Sequence, residues 1–246
     1  MSQSISPRIQ DWPTPLRVKI CGITRADQGI AIAELGAHAL GFICVSQSPR
    51  YIAPTQIRSI TEQLPKRTID GVPLVRIGVF ANETLSQIKE TVNIAQLTGV
   101  QLHGDESLDF CQQVRTALPQ IELIKAFRIR TADTLAQTDP YQKVVDALLL
   151  DAYTPQALGG TGETWDWSIV RHFSPACPWF LAGGLTPDNI VEALHQVSPT
   201  GVDLSSGVEH LPGDKDLKKV THLFKRLRSA VTFSSYAPRS IQLEGF

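Results

Sequence analysis

The sequence predicts an α/β fold, specifically a single (β/α)8 TIM barrel. Three observations point to it. Eight short apolar or β-branched runs alternate with segments of helical periodicity. The runs are mostly continuous rather than alternating, as strands are when protein covers both faces. Finally, no G-x-G-x-x-G follows the first strand, as a doubly wound dinucleotide-binding sheet would want. Glycine-rich turns instead follow the sixth, seventh and eighth runs.

In chain order the predicted strands are 17–20, 39–44, 75–80, 100–102, 122–127, 147–151, 179–183 and 201–205. The helical segments between them are "RADQGIAIAEL", "PTQIRSITEQL", "ETLSQIKETVNIA", "ESLDFCQQVRTAL", "TADTLAQT", "DWSIVRHF" and "PDNIVEALHQV", with "DLKKVTHLFKRLRSAV" closing the chain. Several open on Thr, Asn or Ser ahead of Pro, Glu or Asp, which supply N-caps and first-turn residues. Residues 17–231 contain no linker and read as one catalytic barrel. Residues 1–16 and 232–246 read as loose extensions.

Composition narrows the function. The chain has 246 residues, a net charge of −1, and 42% hydrophobic and 19% charged residues. This is a globular balance without the broad positive field that nucleic acid or an anionic membrane selects. No apolar run reaches the length of a membrane span, and the N-terminus has no secretory h-region. Four scattered cysteines without a CxxC pair argue against a disulfide framework or a zinc site, and for reduced thiols in the cytoplasm.

In a barrel, chemistry sits where strands end and lead into helices. Cys21 ends the first strand ahead of Gly22. It reads either as a small packed residue or as a thiol that takes a proton. Asp151 ends the apolar run "ALLLD", where an uncompensated charge is costly; apolar surroundings would raise its pKa and suit it to deliver a proton. Gly183 and Gly184 precede a helix expected to open at Pro187, and Ser205, Ser206 and Gly207 end the last strand. Such turns let backbone N–H groups approach a phosphate. "GGTGETW" at 159–165 is a third cradle or a lid. Arg50 is the basic residue of the rim, suited to gripping a carboxylate bidentately. Asp203 and His103 face the same mouth, His103 either as a contact or as a structural histidine.

The ordered motifs "KICGIT", "GFICVSQSPRYIAP", "RIGVFAN", "VQLHGDE", "LLLDAYTPQALGGTGETWDW", "LAGGLTPDNI" and "VDLSSGVE…PGDKD" span roughly residues 17–228. In this the chain resembles the phosphoribosylanthranilate isomerases, barrel enzymes of tryptophan biosynthesis. The resemblance implies an Amadori rearrangement of a small phosphoribosyl substrate, with no cofactor and no metal. Carried over by motif, Cys21 is the general base, Asp151 the general acid and Arg50 the holder of the anthranilate carboxylate. The glycine loops with Ser205 and Ser206 hold the phosphate. Neither a nucleic acid nor a membrane partner is expected, and the expected state is a monomer. Two rival readings remain: a lyase or aldolase using Lys19 or Lys125 as a Schiff-base amine, and a phosphate-binding protein without catalysis.

Overall fold

The computed structural model describes residues 16–152 and 167–235. Eight parallel strands close into a barrel in sequential order: β1 (Arg17–Cys21), β2 (Ala39–Ile43), β3 (Val75–Phe80), β4 (Gly99–Leu102), β5 (Glu122–Ile129), β6 (Ala147–Ala152), β7 (Trp179–Ala182) and β8 (Gly201–Leu204). Closure is carried by the β1–β8 pairing, which sets Lys19 opposite Asp203 and Ile20 opposite Leu204. Helices α1 (Ala26–Leu35), α2 (Pro54–Thr61), α3 (Leu85–Ala95), α4 (Leu108–Ala117), α5 (Ala132–Ala136), α6 (Ile190–Gln196) and α7 (Leu217–Ser235) surround it. No described helix is long and apolar enough to cross a membrane.

Local sequence explains the elements. Thr84 and Gln87 form a capping box on α3, Ser107 caps α4 through Phe110 N, and α2 opens on Pro54. Side chains at alternate strand positions fill the barrel: Ala39, Ile77, Ile124, Ala147, Leu149 and Phe180 are all buried in one interior cluster. The bulk of Phe180 fits because β8 begins with glycine; a Cβ on Gly201 would lie 2.5 Å from its ring. Arg17 stacks over that ring at 5.2 Å and reaches across the floor to Glu122 with two hydrogen bonds of 2.7 and 3.0 Å. The N-terminal end of the barrel is thereby plugged, and the open end is the C-terminal one.

Two expectations need correction. "DWSIVRHF" forms only a 3-10 turn at Trp167–Val170 among the described residues. α6 starts at Ile190 rather than at Pro187, because Thr186 and Asn189 tie the preceding residues into a turn: Thr186 N donates to Asn189 Oδ1 at 2.8 Å. α7 runs on to Ser235. The segment after β8 also holds a two-stranded hairpin the sequence did not announce, β9 (Glu209–Leu211) and β10 (Asp214–Lys215). The "GGTGETW" stretch and most of both expected extensions lie outside the described residues.

Candidate active site

Cys21 is the last residue of β1 and shares the inward face of that strand with Lys19, two positions earlier. It is 6% exposed. Its space exists because β2 carries a glycine opposite: a Cβ on Gly41 would lie 2.7 Å from Cys21 Sγ. Burial pushes the thiol up from its ordinary pKa; Lys19 and Lys215 pull it down, while Asp203 adds to the rise. The net direction is upward, so the ligand-free protein holds Cys21 as a thiol at neutral pH.

Below Cys21, Lys19 Nζ donates to Asp203 Oδ2 at 2.8 Å, with both side chains buried. Burial pushes the Lys19 ammonium down, but Asp203 and Cys21 outweigh it and hold Lys19 above the usual lysine range. A permanently protonated amine is no Schiff-base nucleophile. Lys125 fails that role for another reason. Its strand neighbours Ile124 and Ala126 face the barrel interior, so Lys125 points to the opposite side. There Nζ donates to Glu106 Oε2 at 3.0 Å and to the carbonyls of Gly104 and Ala126 at 2.7 and 3.1 Å. It is a strut.

Across the mouth, Asp151 near the end of β6 is 30% exposed and lies 3.3 Å from His103 Nε2. Gln101 Nε2 sits 3.0 Å from the other ring nitrogen, His103 Nδ1. With the carboxamide donating to Nδ1, the ring proton falls on Nε2 and points to the carboxylate. Asp203 interacts electrostatically with both His103 and Asp151. It thus lies between the thiol side of the mouth and the carboxyl side. Asp203 Oδ1 and Gln101 Oε1 are buried acceptors with no partner among the described residues. A cavity of about 290 Å³ opens beside His103, lined also by Ala126, Phe127, Arg128 and Tyr141.

The glycine turns meet at the ends of β7 and β8. Gly183 and Gly184 both have left-handed backbones, φ 83° and 62°, which admit glycine readily. Asn189 Nδ2 holds the turn by donating to Gly184 O at 2.9 Å. Gly207 packs so closely under this turn that a Cβ there would fall 2.0 Å from Leu185 O. Ser205 Oγ donates to Cys21 O at 3.1 Å, linking the β8 turn to β1. The N–H groups of Gly184 and Ser206 donate to no backbone carbonyl among the described residues.

Arg50 reaches the rim from the loop between β2 and α2, but its guanidinium is already engaged. Nε and Nη2 bind the buried Glu209 carboxylate at 3.0 and 2.6 Å. Sequence reasoning missed Glu209 and Lys215, and saw Lys19 only as a rival nucleophile. "SSGVE" and "PGDKD" were the available signals, being charges set among rim glycines.

The closed parallel barrel, with its ionisable groups and glycine turns gathered at the C-terminal ends of the strands, defines the class: a (β/α)8-barrel enzyme. The family model for N-(5'-phosphoribosyl)anthranilate (PRA) isomerase matches residues 18–226, and the chain belongs to that family. The N-(5'-phosphoribosyl)anthranilate isomerase of Acaryochloris marina is 64% identical over 216 residues, which cover 88% of this chain and all of the relative. Among solved structures, the phosphoribosyl anthranilate isomerase of Thermotoga maritima superposes with a TM-score of 0.77 at 36% identity, covering 87% of this chain and 99% of its own. A phosphoribosyl anthranilate isomerase in complex with reduced 1-(o-carboxyphenylamino)-1-deoxyribulose 5-phosphate matches with a TM-score of 0.73 at 34% identity, covering 87% and 99%.

Proposed function

We propose that the chain, acting through a single catalytic barrel over residues 17–231, converts N-(5-phospho-β-D-ribosyl)anthranilate to 1-(2-carboxyphenylamino)-1-deoxyribulose 5-phosphate by general acid–base catalysis. Asp151 protonates the furanose ring oxygen, and the C1–O bond breaks to leave a Schiff base of C1 with the anthranilate nitrogen. Cys21, once its thiol proton has passed to solvent, takes the proton from C2 as thiolate, and the electron pair neutralises the protonated imine to an enolamine. Tautomerisation, with a proton lost from the C2 hydroxyl and one gained at C1, gives the ketose.

The observation that carries this reading is the arrangement across the mouth. A thiol on β1 and a carboxyl on β6 flank one buried carboxylate, Asp203, which interacts with groups on both sides. Its unpartnered Oδ1 suits a ribose hydroxyl. Gly183, Gly184, Ser205, Ser206 and Gly207 would hold the phosphate, whose binding energy places the sugar between base and acid. Arg50 Nη1, without a partner among the described residues, suits the anthranilate carboxylate. His103 would act by donating to the Asp151 carboxylate left once the acid has given up its proton, rather than by touching the sugar. Every group named here comes from one copy of the chain, so a monomer is the expected state, and free cysteines at 21, 44, 111 and 177 fit a reducing cytoplasm.

The test is turnover of substrate made in situ from anthranilate and phosphoribosyl pyrophosphate by the transferase that joins them. Rapid loss of substrate fluorescence is expected. No loss with folded protein would send the reading to another phosphosugar. Light scattering tests the monomer against the 27.0 kDa chain mass.

A further inference from the structure

The most heavily bonded side chain near Cys21 belongs to a residue with no part in the proton transfers. Glu209, on β9, is buried, and its side chain is 4% exposed. Oε1 accepts from Arg50 Nε at 3.0 Å, Lys215 Nζ at 2.7 Å and Gly213 N at 3.1 Å. Oε2 accepts from Arg50 Nη2 at 2.6 Å. One carboxylate thus holds two cations from segments that are far apart in sequence.

Both cations lie over the residue next to the thiol. A Cβ on Gly22 would lie 2.8 Å from Arg50 Cδ and 3.4 Å from Lys215 Nζ. The hairpin that carries Glu209 and Lys215 is itself fixed from below. Gln28 on α1 donates to Asp214 Oδ1 and Lys215 O at 2.7 and 3.0 Å and accepts from Lys215 N at 3.0 Å. Arg50 and Lys215 would repel one another at this range in a buried site unless an anion lay between them.

We propose that Glu209 is a positioning residue for the isomerase reaction proposed above: it holds Lys215 charged beside Cys21 and fixes Arg50 with its Nη1 left for the substrate carboxylate. Burial pushes Lys215 down from the usual lysine range, and Glu209 is the largest influence opposing that fall. Lys215 in turn is one of two lysines that lower the Cys21 pKa. The charged and titratable groups acting on the thiol are Lys19 on β1, Asp203 on β8, Lys215 on β10, and Arg50 and Cys44 from the end of β2 and its loop. Loss of Glu209 changes two of them at once. Lys215 then gives up its proton more readily beside the thiol, and the arginine loses its fixed orientation.

The readout is the Cys21 thiolate absorbance at 240 nm against pH, taken as the difference between each protein and its Cys21→Ser counterpart. Glu209→Gln should raise the Cys21 midpoint, because Lys215 without its anion gives up its proton more readily as pH rises. It should also raise KM for the substrate. Lys215→Met should raise the midpoint while leaving KM near wild type, since Arg50 stays on Glu209. Glu209→Asp, which keeps the charge, should return the midpoint toward wild type. If Glu209→Gln does not fold, Lys215→Met decides, and a folded variant of either kind with a wild-type midpoint overturns the proposal. The absorbance needs no turnover. A wild type without isomerase activity but with the shifts intact would therefore sink the activity and spare this inference, whereas turnover without the shifts would do the reverse.

Discussion

Lys19 Nζ lies 2.8 Å from Asp203 Oδ2 in the barrel interior, one side-chain row below Cys21. The pair joins β1 to β8 and supplies the cation under the base. Breaking it from one side leaves a buried charge unpaired, which typically costs about 3–5 kcal/mol. Lys19→Met should therefore lower unfolding stability by about that amount in urea titration. The double variant Lys19→Met/Asp203→Leu should recover most of the stability and none of the activity. A single variant as stable as wild type would show that the pair contributes nothing to the fold.

Gly41 gives the thiol its room. In Gly41→Ala the new methyl would meet Cys21 Sγ at 2.7 Å and Cys21 Cα at 3.1 Å. Overpacking of this kind costs about 1–3 kcal/mol, and a displaced base loses rate steeply, about 100-fold for an error near 1 Å. The expected result is a folded protein with kcat down by about two orders of magnitude. Unchanged kcat would mean that the position of Cys21 is not critical.

The two anion turns are packed through one glycine. Gly207→Ala would set a methyl 2.0 Å from Leu185 O and push the β7 and β8 turns apart. KM should rise about tenfold or more, equivalent to about 1.4 kcal/mol of lost binding. Inorganic phosphate should also lose its power to inhibit. A variant with wild-type KM would place the phosphate elsewhere.

His38, far from the mouth, sets a pH dependence of stability. Val18 N donates to His38 Nδ1 at 3.1 Å, a bond only the neutral ring can accept. Burial pushes the His38 pKa down, and nearby Asp70 offsets only part of the fall. The unfolded chain then binds the proton more readily than the folded one. This contribution is complete above the unfolded histidine pKa of about 6.5 and is lost as pH falls through the lower folded value. Stability should drop as pH falls below about 6.5, and His38→Gln should flatten that part of the curve. A curve of unchanged slope in the variant would assign the drop to other groups.

The strands were legible because both their faces are buried, so apolar runs such as "VRIGVF" coincide with β3 without remainder. Helices were less so. "DWSIVRHF" has helical spacing, yet only Trp167–Val170 turns, and the α6 start is displaced by the Thr186–Asn189 bonds, which no periodicity reports. At the site, position at a strand end was enough to place Cys21, Asp151, Asp203 and His103 at one mouth, where the structure also sets them. Partnerships were not readable. Lys19 and Asp203 are 184 positions apart, and Arg50 and Glu209 are 159 apart. A charge viewed alone in sequence looks free, and Arg50 was read that way; only the closed barrel shows that its fork already grips a carboxylate.

In the proposed reaction Cys21 removes the C2 proton while Asp151 protonates the ring oxygen. Single-turnover rates of phosphoribosylanthranilate with wild type, Cys21→Ala and Asp151→Asn test it most directly. A positioned acid or base typically contributes about 10²- to 10⁴-fold. Losses of at least that size are expected in each variant, with melting temperatures near wild type. Wild-type rates in either variant would contradict it, leaving the family and the barrel standing and assigning that proton to another group.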